Sequence, residues 1–254
     1  MSKRAFAFLA LLLALCVAGS LLLGKYGFSA EDYARYVTAL LRGESLKDFE
    51  VMHTLLLEIR LPRILACVLI GASLAISGAA YQAMFVNPLV SPSILGVLSG
   101  AGFGAAVGMF FKLNEYLIQL STFGFGFLAV AVALCVSALY SRSGSVIVLV
   151  LGGVISGSLF TSLLSVLKYA ADPNDALPAI TYFLMGSLGF ASKSFIQISI
   201  LPMCAGILLL ALSGKYLNAL SLGEEEARSL GVNTARVKIF IILVATFVSA
   251  LSVT

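Results

Sequence analysis

The chain contains apolar runs longer than a soluble domain can use. Residues 5–24, 61–85, 115–140, 145–169, 194–212 and 235–254 each hold about 18 or more predominantly apolar residues, enough to cross the hydrocarbon core of a bilayer. Inside lipid every backbone polar group must be satisfied internally, which leaves helices and closed barrels. Barrel strands are short and alternate in polarity, and these runs do neither. Composition agrees: 60% of the 254 residues are hydrophobic and 11% charged, where a soluble domain carries about a quarter charged residues. The expected fold is all-α, a polytopic transmembrane helical bundle forming one domain over 1–254.

The segment 94–111 is read as a further span, making about seven in all. It carries Gly100, Gly104 and Gly108 on one stripe, which permits close helix approach. Gly153 and Gly157 give the run 145–169 a similar face. The segment 177–189 is apolar but too short to span, and Pro178, Gly186 and Gly189 flank or interrupt it. It is expected to be a half-helix buried in protein. The run 61–85 opens on Leu61-Pro62-Arg63, where proline suits a first helical turn. It ends at Asn87-Pro88 and Ser91-Pro92. Between the first two runs lies a polar segment of mixed charge. Within it, residues 30–41 have helical periodicity and are expected to lie along the membrane surface.

The net charge of +4 is spread over loops and does not suggest a nucleic-acid partner. Cys16, Cys67, Cys135 and Cys204 sit in apolar runs without metal-ligand spacing and read as small buried hydrophobes. Residues 1–24 resemble a signal peptide, but the apolar part is long and no cleavage site follows, so a retained helix is expected. Lys3 and Arg4 favour a cytoplasmic N-terminus, although the basic residues of 25–63 then fall outside.

The most patterned polar stretch is Leu217–Val232. Ser221 and Glu224 have capping-box spacing. Glu224, Glu225 and Glu226 fall in a first turn, where the helix dipole favours negative charge. Arg228 follows Glu224 by four, and Gly231 stands where a left-handed cap is expected. The pattern predicts a water-exposed helix of about two to three turns between two spans. A plain connector is the simplest use for such a loop, but connectors do not need both ends specified.

Catalytic patterns are missing. His53 is the single histidine, no phosphate-binding G-x-x-x-x-G-K-[ST] occurs, and no Asp, Glu, Lys, Arg or His lies in the middle of a proposed span. Ion-coupled carriers place such groups near the midplane. Energy for transport would then enter from outside the chain. Ser73, Ser77, Gln82, Asn87, Ser99, Ser156 and Ser158 could line a path or simply pack helices, and both readings stand.

Three ordered stretches resemble a known family. They are Arg60-Leu-Pro-Arg63 leading through Gly71–Ala79, with Ser77 and Gly78, to Gln82, Asn87-Pro88-Leu89, Pro92 and Leu95-Gly-Val97; Tyr182–Ser187; and Leu220-Ser221-Leu222-Gly223-Glu224 with Ala227-Arg228 and Leu230-Gly231. The chain resembles the permease subunit of the iron–siderophore and vitamin B12 (FecCD-type) class of ABC importers. The resemblance implies a homodimeric permease in the cell membrane, ATP bound by separate ATPase subunits and no cofactor in this chain. It also implies a periplasmic or lipid-anchored binding protein that delivers the substrate, a ferric siderophore first of all, with cobalamin, haem or molybdate as alternatives. The stretch 213–234, with Ser221, Leu222, Gly223, Glu224, Glu225, Ala227, Arg228, Leu230 and Gly231, becomes the coupling-helix region. Arg60 and Arg63 become the docking point for the binding protein, although for Arg63 a snorkelling role stands beside it. Ser77, Gly78, Gln82, Asn87, Pro88, Gly100, Gly104, Gly153 and Gly157 become pathway or packing positions. The family's later motifs are missing after Thr254, so the resemblance implies a truncated chain. An ion-coupled carrier and an intramembrane enzyme are the rival classes.

Overall fold

A computed structural model describes residues 3–24, 27–43, 46–88, 90–140, 146–186, 188 and 193–253. The described residues are helical, with no strand among them. Eleven helices are used below: α1 (Lys3–Leu22), α2 (Ala30–Arg42), α3 (Glu50–Phe85), α4 (Val97–Phe110), α5 (Glu115–Tyr140), α6 (Val146–Ala170), α7 (Ala176–Met185), α8 (Lys193–Leu212), α9 (Gly214–Leu220), α10 (Glu224–Ser229) and α11 (Thr234–Leu251). Five of them are long and apolar enough to cross a membrane: α1, α3, α5, α6 and α11. A sixth span results if α8 and α9, bent by 51°, count as one. The predicted span 94–111 is shorter than expected. Pro92–Leu95 forms a 3₁₀ turn, Gly96 adopts φ +78°, and only Val97–Phe110 is α-helical. A side chain on Gly96 would meet the Gly157 backbone nitrogen at 3.0 Å, so glycine serves both the turn and the approach. The expected half-helix is present as α7, ten residues long, and ends at Gly186. Residues 187 and 189 of that segment, and the turn 141–144, lie outside the described residues.

The chain divides into two compact units: Met1–Val68 with Leu188–Ile198, and Leu69–Ser187 with Ser199–Thr254. In the first, α1 buries no residue and is apolar all round, as a helix surrounded by lipid should be. α2 is capped by Ser29, whose hydroxyl accepts from the Asp32 N–H while Asp32 accepts from the Ser29 N–H. Its buried face carries Tyr36 and Ala39. The Tyr36 hydroxyl and His53 Nδ1 are hydrogen-bonded at 2.9 Å, which gives the single histidine a structural partner. Pro62 stands in the first turn of regular α-helix, as its spacing suggested, because that geometry runs from Leu61 to Phe85. It lies within α3, just after a π-helical turn over Leu55–Arg60. Proline supplies no N–H and crowds the carbonyl four residues back, and the wider turn beside it accommodates that defect.

In the second unit the glycine stripe of α4 packs on α5. A methyl group on Gly100 would lie 2.6 Å from Ala129 Cβ, and one on Gly104 would lie 2.9 Å from Phe125 Cβ. Ser121 Oγ donates to the Gly104 carbonyl at 2.7 Å across this contact. Gly153 abuts Ile94 and Leu95 of the 3₁₀ turn, Gly157 approaches Gly96, and Ser156 Oγ donates to the Ala129 carbonyl at 2.7 Å. Gly78 has open space where a side chain would stand. A second seam joins α3 to α11. The Tyr81 hydroxyl meets Thr246 Oγ1 at 3.1 Å, and Ser77 Oγ donates to the Ala245 carbonyl at 3.4 Å. All four cysteines are free but exposed, which corrects their reading as buried residues. An apolar run says that a residue tolerates lipid, and a thiol does so on an outward helix face.

Candidate functional site

The polar island folds as a bent pair of short helices. α9 ends at Leu220, Ser221 stays in the right-handed helical region, and α10 begins at Glu224 after Gly223. The predicted capping box does not form. Ser221 is still helical, so its hydroxyl donates back to the Asn218 carbonyl at 2.7 Å. A capping residue needs non-helical backbone, and Gly223 provides it with φ +121° and ψ 159°. That conformation suits glycine and few other residues. The helix is also shorter than predicted, six residues in place of two to three turns.

Its far end is closed as expected. Gly231 has φ +79° and its N–H donates to the Arg228 carbonyl at 2.9 Å. The Val232 N–H donates to the Ala227 carbonyl at 3.0 Å, completing a Schellman motif. Ala227 is fully buried, in one apolar cluster with Leu220, Tyr81, Met84, Ile241 and Ile242. Leu222 and Leu230 each remain 64% exposed, and Glu225 and Glu226 are exposed beside them. The product is a small knob with two leucines and two carboxylates outside and an anchored base.

Glu224 belongs to the base. Its Oε1 accepts from Arg228 Nη2 at 2.7 Å and from the Thr234 hydroxyl at 3.2 Å, and its Oε2 accepts from Lys238 Nζ. Arg228 Nε also donates to Thr234 Oγ1 at 3.2 Å. The Lys238 hydrogen bond is the main reason the Glu224 carboxyl sits below the ordinary glutamate range; partial burial opposes it, and the charge of Lys238 and the bonds from Arg228 and Thr234 reinforce it. Sequence reasoning paired Glu224 with Arg228 but missed Thr234 and Lys238. The available signal was a threonine and a lysine four residues apart just past the glycine cap.

Arg60 is engaged within its own unit. Its Nη1 donates to the Leu21 carbonyl at 2.6 Å and the Leu22 carbonyl at 3.4 Å, and to the Tyr33 hydroxyl at 3.1 Å. It therefore closes the carbonyl end of α1, where a cation is favoured. Arg63 is exposed. Gln82, in the last turn of α3, and Pro88, just past it, are exposed and Asn87 is half-buried; the Asn87 N–H donates to the Gln82 carbonyl at 3.1 Å. Among the described residues no three His, Cys, Asp or Glu side chains cluster as a metal site.

The described residues thus form a helical bundle with membrane-length spans and a capped, anchored helix between two of them. The chain belongs to the FecCD transport family, which it matches over residues 11–254. It is 36% identical over 239 residues to the molybdate import system permease protein MolB of Haemophilus influenzae, covering 93% of this chain and 69% of that protein. It is 35% identical over 203 residues to the hemin transport system permease protein HmuU of Yersinia pestis, covering 77% of this chain and 60% of that one. Against the vitamin B12 import system permease protein BtuC of Escherichia coli O157:H7 the identity is 36% over 181 residues, with 69% and 53% covered. The chain thus spans about half to seven-tenths of the length of these relatives. Among solved structures, a metal-chelate type ABC transporter in an inward-facing conformation superposes with a TM-score of 0.84 at 32% identity, covering 99% of this chain and 75% of that one.

Proposed function

We propose that the protein is the membrane-spanning permease subunit of an ATP-driven importer for a metal chelate. ATP is hydrolysed by separate subunits, a binding protein outside the cell membrane hands over the substrate, and two permease copies form the path. In this reading the N-terminus is cytoplasmic and α4 crosses the membrane as well as the longer helices, so an even number of crossings precedes α10 and puts it on the side where ATP is hydrolysed. The observation that carries the proposal is the knob of α10: exposed Leu222, Leu230, Glu225 and Glu226 on a base anchored by Ala227 and Glu224. Such a helix suits insertion into a cleft of an ATPase. We assign binding-protein docking to Arg63, which is exposed and suited to carboxylate pairing, and the shaping of that rim to Arg60.

A ferric siderophore is the first substrate candidate. A molybdate oxyanion is the second, and the similarity to a molybdate permease along 93% of the chain keeps it among the candidates. The test is co-expression with the ATPase encoded beside the gene. Glu225→Lys with Glu226→Lys, or deletion of 221–231, should abolish ATPase co-purification. Undiminished co-purification would remove the coupling role. Competition of ferric chelates, molybdate, hemin and cobalamin for uptake then selects the substrate.

A further inference from the structure

Glu224 opens α10, yet its carboxylate is bonded away from the exposed knob. Both its oxygens are used, one by Arg228 and Thr234 and the other by Lys238. Thr234 and Lys238 stand on the first two turns of α11. One side chain of a six-residue helix therefore holds two points on an 18-residue helix. The turn between them is closed as well, by the Gly231 and Val232 bonds and by Asn233, whose side chain accepts from the Arg236 N–H at 3.1 Å. Farther along, α11 is bonded to α3 through Tyr81 and Thr246 and through Ser77 and Ala245.

A helix of less than two turns has almost no internal bonds to keep its orientation. Without a side-chain tie, a force applied to α10 would reach α11 only through the backbone of the turn 230–233 and the packing of Ala227. We propose that Glu224 is a positioning residue that makes α10 and α11 a single rigid lever, with Lys238 as its fixed end. Displacement of the knob is then delivered to α11 and, across the Tyr81–Thr246 seam, to α3. The proposal rests on the ATPase-driven reading above and divides the three carboxylates by task. Glu225 and Glu226 meet the partner, and Glu224 transmits.

The test uses the native full-length protein with its ATPase in proteoliposomes, reading ATPase co-purification, ATP hydrolysis and substrate imported per ATP. In Lys238→Met the ATPase should still co-purify, while import per ATP falls about fivefold or more, the scale of a site-to-site coupling. Lys238→Arg should restore it. Glu224→Gln combined with Lys238→Met should be no worse than either single change, because both cut one connection. A protein whose helices are merely destabilised would lose hydrolysis and import together and leave their ratio unchanged. Unchanged import per ATP in Lys238→Met overturns the lever, and so does loss of ATPase co-purification in that variant, which would make the junction a docking element. Failure of the unmodified protein to retain any ATPase overturns the importer reading itself, and the lever with it.

Discussion

Replacing Gly104 by alanine should destabilise the protein, while the same change at Gly78 should stabilise it. Both glycines lie inside helices, where alanine is favoured by about 0.5–1 kcal/mol. At Gly78 nothing lies within 4 Å of the new methyl group, so that gain is kept. At Gly104 the methyl would lie 2.9 Å from Phe125 Cβ and closer still to the Ser121 carbonyl oxygen, which is backbone and cannot turn aside. The two helices must separate, at about 1–3 kcal/mol for overpacking. Separation also stretches the 2.7 Å bond from Ser121 Oγ to the Gly104 carbonyl, a bond of the kind that contributes about 0.6 kcal/mol on average between membrane helices. The expected gap between the variants is about 2–4 kcal/mol. Reversible unfolding in mixed detergent micelles measures it. Shifts of the same sign and similar size would refute the claim that the stripe is a contact surface.

Tyr81→Phe should lower stability by about 0.5–1 kcal/mol, measured in the same unfolding titration, because it removes the bond to Thr246 while filling the same space. Arg60→Gln should raise amide hydrogen exchange over residues 18–24 by uncovering the α1 carbonyls; loss of binding-protein capture with unchanged exchange would assign Arg60 to docking instead. Glu224 gives a pH dependence of definite sign. Its carboxyl is depressed from 4.5, so its contribution is present above that pH and lost as pH falls through the lower folded value. The melting midpoint should therefore drop less in Glu224→Gln than in the unmodified protein between about pH 6 and about pH 3.5, and by the same amount above that window.

Much of this was legible in the residues. Bilayer-length apolar runs require helices, and a four-residue glycine spacing requires a close neighbour. The left-handed Gly231 and the Glu224–Arg228 pair also followed from local rules, because caps and i,i+4 pairs depend on a few adjacent positions. The features that escaped depend on the path of the chain. Ser221 lost its capping role because α9 still held its backbone helical, which its spacing to Glu224 does not reveal. Arg60 bonds carbonyls 38 and 39 residues away, and Tyr81 meets a threonine 165 residues along the chain. No periodicity encodes such partners. The cysteines show the remaining ambiguity, since in a membrane protein an apolar residue fits an outward face as well as an inward one.

The claim on which the rest depends is that energy enters from outside the chain. The most direct measurement is substrate uptake by the native full-length protein in proteoliposomes, with and without its ATPase and with ion gradients imposed or collapsed. Uptake that requires hydrolysable ATP and the ATPase subunit, and persists after proton and sodium gradients are dissipated, is the predicted result. Uptake that proceeds without the ATPase and vanishes with either gradient would contradict the account.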